Sequence, residues 1–67
     1  MNVAGHNTPA RNTLAAALYR GTALHMREIY ARCAALPGPP MRGPKALQVH
    51  VVQTLGVRRL AAREDAA

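Results

Sequence analysis

Hydrophobic side chains recur with a helical period through residues 13–36, TLAAALYRGTALHMREIYARCAAL. On a wheel of about 100° per residue, Leu14, Leu18, Thr22, Ile29, Cys33 and Leu36 share one side. Ala23, Met26, Tyr19 and Tyr30 widen that side, and Arg20, Arg27, Glu28 and Arg32 lie opposite it or at its margins. An apolar stripe backed by charge predicts one amphipathic helix. Its many alanines favour the helix because they lose no side-chain entropy on folding. Asn12 or Thr13 is placed to cap the first turn. Pro37 cannot continue the hydrogen-bond ladder and restricts Leu36 before it, so the helix is expected to end there. Gly21 is its weak point, at about 1 kcal/mol against alanine, or else a place where another helix comes close.

Residues 37–44, PGPPMRGP, hold four prolines and two glycines. They predict a stiff turn that reverses the chain, with local polyproline II geometry at Pro39-Pro40. From Pro44, a residue suited to the first position of a helix, Leu47, Val51, Leu55 and Ala62 share a face. A second helix over 45–63 is therefore expected. The β-branched Val49, Val51 and Val52 and the interruption at Gly56 allow a strand at VHVV instead, but a lone strand has no partner within this chain. Residues 1–12, with Gly5 and Pro9, read as an extended arm, and 64–67 as a frayed tail. The fold class expected is all-α: one small domain, a hairpin of two helices joined by a Pro/Gly-rich turn, with an extended N-terminal arm.

Composition turns this outline toward association. The chain has 67 residues, no Phe and no Trp, and much of its 49% hydrophobic content is alanine. Chains of this size bury only ~60% of their unfolded surface and are marginally stable. The usual remedies are absent: the single Cys33 excludes an internal disulfide, and Cys33, His6, His25 and His50 match no zinc spacing. A partner is the simplest source of the missing stabilisation. Nine Lys and Arg against three acids give a net charge of +6, and Lys45 is the only lysine. Arginine suits carboxylate and phosphate alike, so acidic protein, anionic lipid head groups and RNA are the partner classes implied.

No apolar run reaches the length of a transmembrane helix, and no secretory signal pattern is present. The first 27 residues contain Arg11, Arg20 and Arg27 but no acid, a pattern similar to mitochondrial import segments. A mitochondrial location is expected on that ground.

Tyr19 and Tyr30 sit on one edge of the stripe, where their rings finish the core and their hydroxyls reach water. His25 reads as a surface histidine and Cys33 as a small buried hydrophobe. Glycine-rich phosphate loops, His-Glu-x-x-His, Cys-x-x-Cys and nucleophile elbows are all missing, and Glu28 stands far from Glu64 and Asp65. No enzyme, no cofactor, no metal and no small-molecule substrate are expected.

Leu18-Tyr19-Arg20, early in the first helix, resembles the signature of the LYR-motif family of small basic helical proteins of mitochondria. Leu55-Gly56-Val57-Arg58-Arg59 is similar to a segment found late in some members. Together the two matches cover eight residues. The resemblance implies an accessory subunit or assembly factor of a respiratory complex, and members often dock the acyl carrier protein through basic residues. The family usually has three helices and a downstream phenylalanine, whereas this chain has no Phe and its pattern predicts two helices. The function expected is thus a non-catalytic accessory subunit of a larger, mitochondrial complex, with an RNA-binding ribosomal or ribonucleoprotein component as the alternative. Leu18, Tyr19, Arg20, Arg27, Ile29, Tyr30, Arg58, Arg59 and Arg63 are the expected partner-binding residues.

Overall fold

The computed structural model of the chain describes residues 8–60. It contains α1 (Pro9–Gly21), α2 (Met26–Ala34) and α3 (Pro44–Val49), the last running straight into a π-helical turn at His50–Thr54. The fold is all-α, but the expected two-helix hairpin is wrong. The chain forms a small globule of three packed helices, because the predicted first helix is two helices folded against each other.

The start of α1 explains one part of the difference. Thr8 is extended and its side chain accepts a hydrogen bond from Arg11 N at 3.2 Å, while Pro9 takes the first helical position. A threonine cap followed by proline uses the fixed φ and the missing N–H of proline where neither costs anything. Residues 9–12 are therefore helix and not the extended arm expected there; residues 1–7 lie outside the described residues. Asn12 and Thr13 sit inside the helix and do not cap it, and the Thr13 hydroxyl donates back to Pro9 O at 2.9 Å.

The break falls at residues 22–25. Thr22 is extended; its hydroxyl donates to Leu18 O at 2.7 Å and accepts from Leu24 N at 3.2 Å. His25 is extended again and caps α2, and the Glu28 carboxylate accepts from His25 N at 3.2 Å. Side chains thus take over groups that a continuous ladder would have used. This elbow returns α2 along α1.

Helix α2 ends at Ala34, two residues before the predicted Leu36, and Leu36 N closes a tight last turn on Cys33 O at 3.0 Å. The expected Pro/Gly turn follows. Gly38 (φ +150°) and Gly43 (φ +138°), the latter capping α3, hold conformations that L side chains rarely adopt. The backbone through 44–54 is helical, not a strand. It stops well short of residue 63: Leu55 N bonds His50 O at 2.9 Å, Gly56 turns left-handed at φ +69°, and Val57 N reaches Val51 O at 3.1 Å. This is a glycine stop of the Schellman kind, widened by the π-turn. Residues 56–60 then cross back to the elbow without regular structure.

The core holds Ala15, Ile29, Cys33, Leu47, Val51 and Val57, all buried, with Leu14, Leu18, Tyr19, Met26, Tyr30 and Leu55 packed partly against it. Each of the three helices contributes, and Val57 seals the end. No helix among the described residues is long and apolar enough to cross a membrane.

A pair of glycine substitutions separates backbone strain from helix propensity. A Cβ on Gly38 would meet Arg11 Nη1 at 2.9 Å on a backbone that already disfavours it, whereas one on Gly21 meets nothing within 4 Å. Gly38→Ala is expected to lower the unfolding free energy by about 1–3 kcal/mol. Gly21→Ala should leave it unchanged or raise it by up to about 1 kcal/mol. Urea unfolding followed by circular dichroism checks both.

Candidate functional site

Two arginines are spent inside the molecule. Arg11, only 3% exposed, is the one buried charged residue among those described. Its Nε donates to Cys33 O at 3.3 Å and its Nη2 to Leu36 O at 3.1 Å, and Nη1 donates to Pro39 O. These are carbonyls of the α2 C-terminus and the turn beyond it, of which Cys33 O also accepts from Leu36 N, so the planar fork does what a C-cap would do and adds a full charge at the negative end of the helix. Gly38 has no Cβ just where the guanidinium passes. Such a group contributes little net stability, since desolvation offsets the attraction, but removing it is expensive because its partners stay buried.

Arg59 closes the other end. Its Nη1 donates to Thr22 O at 2.6 Å and its Nη2 to Leu24 O at 2.9 Å, while the guanidinium lies 4.4 Å from the centre of the Tyr19 ring. Leu60 N adds a bond to Arg20 O at 3.0 Å. The segment after Gly56 is thereby tied across the elbow, with a cation–π contact on the tyrosine face.

Among the residues expected to bind a partner, Ile29 is fully buried and has no surface to offer in this conformation. Leu18, Tyr19 and Tyr30 are half-buried against the core, and the Tyr30 hydroxyl donates to Met41 O at 3.5 Å. Arg59 is partly buried by the contacts above; Arg20, Arg27 and Arg58 are exposed. Arg63 lies outside the described residues. The topology brings four of the expected arginines to one end of the molecule. Arg20 is in the last turn of α1, Arg27 in the first turn of α2, and Arg58 next to Arg59, which grips the loop between those helices. An open depression of about 390 Å³, lined by His25, Met26, Gln48 and Arg59, sits at the same end. Arg32, Arg42 and Lys45 are exposed toward the other end, around the Pro/Gly turn.

Glu28 is the only carboxylate in the described part of the chain, and it already accepts from the backbone of His25. It cannot neutralise six exposed cations, Arg20, Arg27, Arg32, Arg42, Lys45 and Arg58. Among the described residues no three His, Cys, Asp or Glu side chains gather into a possible metal site. The Cys33 thiol is buried, with Sγ 3.7 Å from Arg11 O. Burial pushes its pKa up, and the charge of Arg11 partly offsets that.

The sequence pattern did not reveal Arg11, because a charged residue before the apolar stripe is expected at the surface. Thr8-Pro9 was the available signal for the helix that positions it. A scan of family models finds no match to the chain, and neither do searches of curated proteins and of solved structures.

Two measurements test this reading. Arg11→Lys keeps the charge and loses the fork, and is expected to lower stability by about 3 kcal/mol; Arg42→Lys, at an exposed position, should change it by less than about 0.5 kcal/mol. For Cys33, a thiol reagent should react only as fast as the globule opens. The raised pKa also fixes the sign of a pH effect. Below the ordinary thiol value both states hold the proton. Above it the unfolded chain loses its proton before the folded chain does, so this contribution to stability falls as pH rises toward the folded value. The fall should be missing in Cys33→Ala.

Proposed function

We propose that the protein is a non-catalytic accessory subunit whose elbow end docks on an acidic surface of a larger protein assembly. The observation that carries this reading is the gathering of Arg20, Arg27, Arg58 and Arg59 around residues 22–25 with Glu28 as the only carboxylate in the described chain. Like charges held together repel one another, and an acidic partner turns that cost into attraction and orientation. Arg20, Arg27 and Arg58 reach outward and Arg59 keeps the platform rigid, so contact would cost little further ordering. The small core makes added contact area valuable as well.

The Leu18-Tyr19-Arg20 resemblance supports the same class of function and a mitochondrial setting, as does the acid-free, arginine-containing first 27 residues. In this chain Tyr19 holds Arg59 and the Arg20 carbonyl holds Leu60, so the tripeptide builds the platform, and Arg20 alone of the three is exposed.

Capture of the tagged full chain from its native lysate across a salt series, with both protein and RNA identified, tests the proposal. A fixed set of protein subunits, without RNA, should be captured at low salt, and because exposed charges are screened the capture should weaken as salt rises. Arg20→Gln, Arg27→Gln and Arg58→Gln together should weaken their capture by roughly 1–3 kcal/mol in affinity while leaving the fold intact. If RNA dominates and washes off steeply with salt, the contacts are to phosphates and the proposal fails in favour of a ribonucleoprotein role.

A further inference from the structure

The elbow joins two helices that the sequence could run as one. Residues 22–28 contain no proline and no glycine, and Ala23, Leu24, Met26, Arg27 and Glu28 are good helix formers. The apolar period also passes through the elbow without a phase slip, which is why residues 13–36 read as a single helix. The bend is held by contacts outside the backbone ladder: Arg59 on Thr22 O and Leu24 O, Leu24 N donating to the Thr22 hydroxyl, and the Glu28 carboxylate accepting from His25 N. The rest of what α1 does is done against α2, the turn after it and the π-helical turn, namely the Arg11 fork and the burial of Ala15 beside Ile29 and Cys33, together with the contacts of Tyr19 with Arg59 and of Arg20 O with Leu60 N near the elbow.

We infer that a second copy of this chain is a partner, through exchange of α1. In the exchanged dimer α1 and α2 of each chain fuse into one helix through residues 22–25, and each α1 packs on the other chain's α2. The Arg11 fork, the Gly38 clearance and the core contacts all re-form between chains, because the surface that receives α1 is built for α1. The elbow contacts are given up for a continuous helical ladder, and with them the bonds that Arg59 and Leu60 make to the end of α1. A two-fold arrangement of this kind closes on itself, so it stops at a dimer. The short elbow, four residues long, makes Arg59 and Thr22 the latch that keeps a single chain folded on itself. This inference does not depend on the docking proposal.

The test combines mass with an intrachain distance. Wild type, Thr22→Ala and Arg59→Gln are followed by size-exclusion chromatography with light scattering over a wide concentration range. In parallel, spin labels at Ala10→Cys and Ala35→Cys, both exposed positions, are placed in a Cys33→Ala background and diluted with unlabelled chain. On a fused helix the two labels stand roughly 37 Å apart; in the bent chain, where Arg11 bonds Cys33 O and Leu36 O, they lie at well under half of that. Wild type should become dimeric at high concentration, each variant should dimerise at about tenfold lower concentration or less, and the dimer should show the long distance. A mass that stays monomeric in all three proteins overturns the inference, and so does a dimer that keeps the short distance. If Arg59→Gln loses its helical circular dichroism, Thr22→Ala, whose residue is not part of the core, decides the matter.

Discussion

The fold depends on a buried guanidinium. Arg11 reaches from the first turn of α1 to carbonyls at the end of α2 and in the turn beyond, adding to the Leu36 N bond on Cys33 O and pairing Leu36 O and Pro39 O in the proline-rich loop. The position of α1 follows from it. Thr8 and Pro9 start the helix so that Arg11 faces inward, Ala15 one turn later is small enough to let α2 approach, and Gly38 leaves room for the charge. A larger core would not need such a device. Six buried apolar residues, two of them only alanine and cysteine, supply bulk attraction without much shape, and the directional bonds of Arg11 supply the register.

The opposite end repeats the solution with different parts. Arg59 binds two carbonyls of the elbow and stacks on Tyr19, while Val57 closes the core behind Gly56. The last described stretch of chain is therefore structural although it has no secondary structure. The two arginines hold the ends of one helical pair, one where α1 begins and one where it ends. Both ends carry exposed positive charge, Arg32, Arg42 and Lys45 around the Pro/Gly turn and Arg20, Arg27 and Arg58 beside Arg59 at the elbow. The charge gathered beside this loop is the ground for the docking proposed above, and the same loop is where exchange of helices with another copy is proposed.

How much was legible in the chain differs from one element to the next. The Pro/Gly turn at 37–44 was plain, since proline and glycine act on φ locally whatever surrounds them. The helical choice at 44–54 was right and its length was not, because Gly56 reads as a tolerated interruption until Val57 is seen folding back onto Val51. The docking residues between Leu18 and Tyr30 were read on a wheel that assumed one straight helix, and Arg58, Arg59 and Arg63 from the basic stretch near the other end of the chain. Ile29 on that stripe became core once α2 folded back, while Arg20, Arg27 and Arg58 stayed exposed and came together at the elbow.

By itself the sequence determined that the chain would be helical, basic and short of core, because alanine content, charge balance and the 3.6-residue period are local or additive properties. It determined the reversal at the prolines for the same reason. The tertiary structure alone decided that residues 13–36 bend at Thr22–His25 and that Arg11 goes inside. Local bonds at Thr22 and Glu28 permit the bend, but both choices are fixed by bonds between residues more than twenty positions apart, Arg11 with Cys33, Leu36 and Pro39, and Arg59 with Thr22 and Leu24. No period or propensity along the chain carries that information, and it exists only once the helices have met.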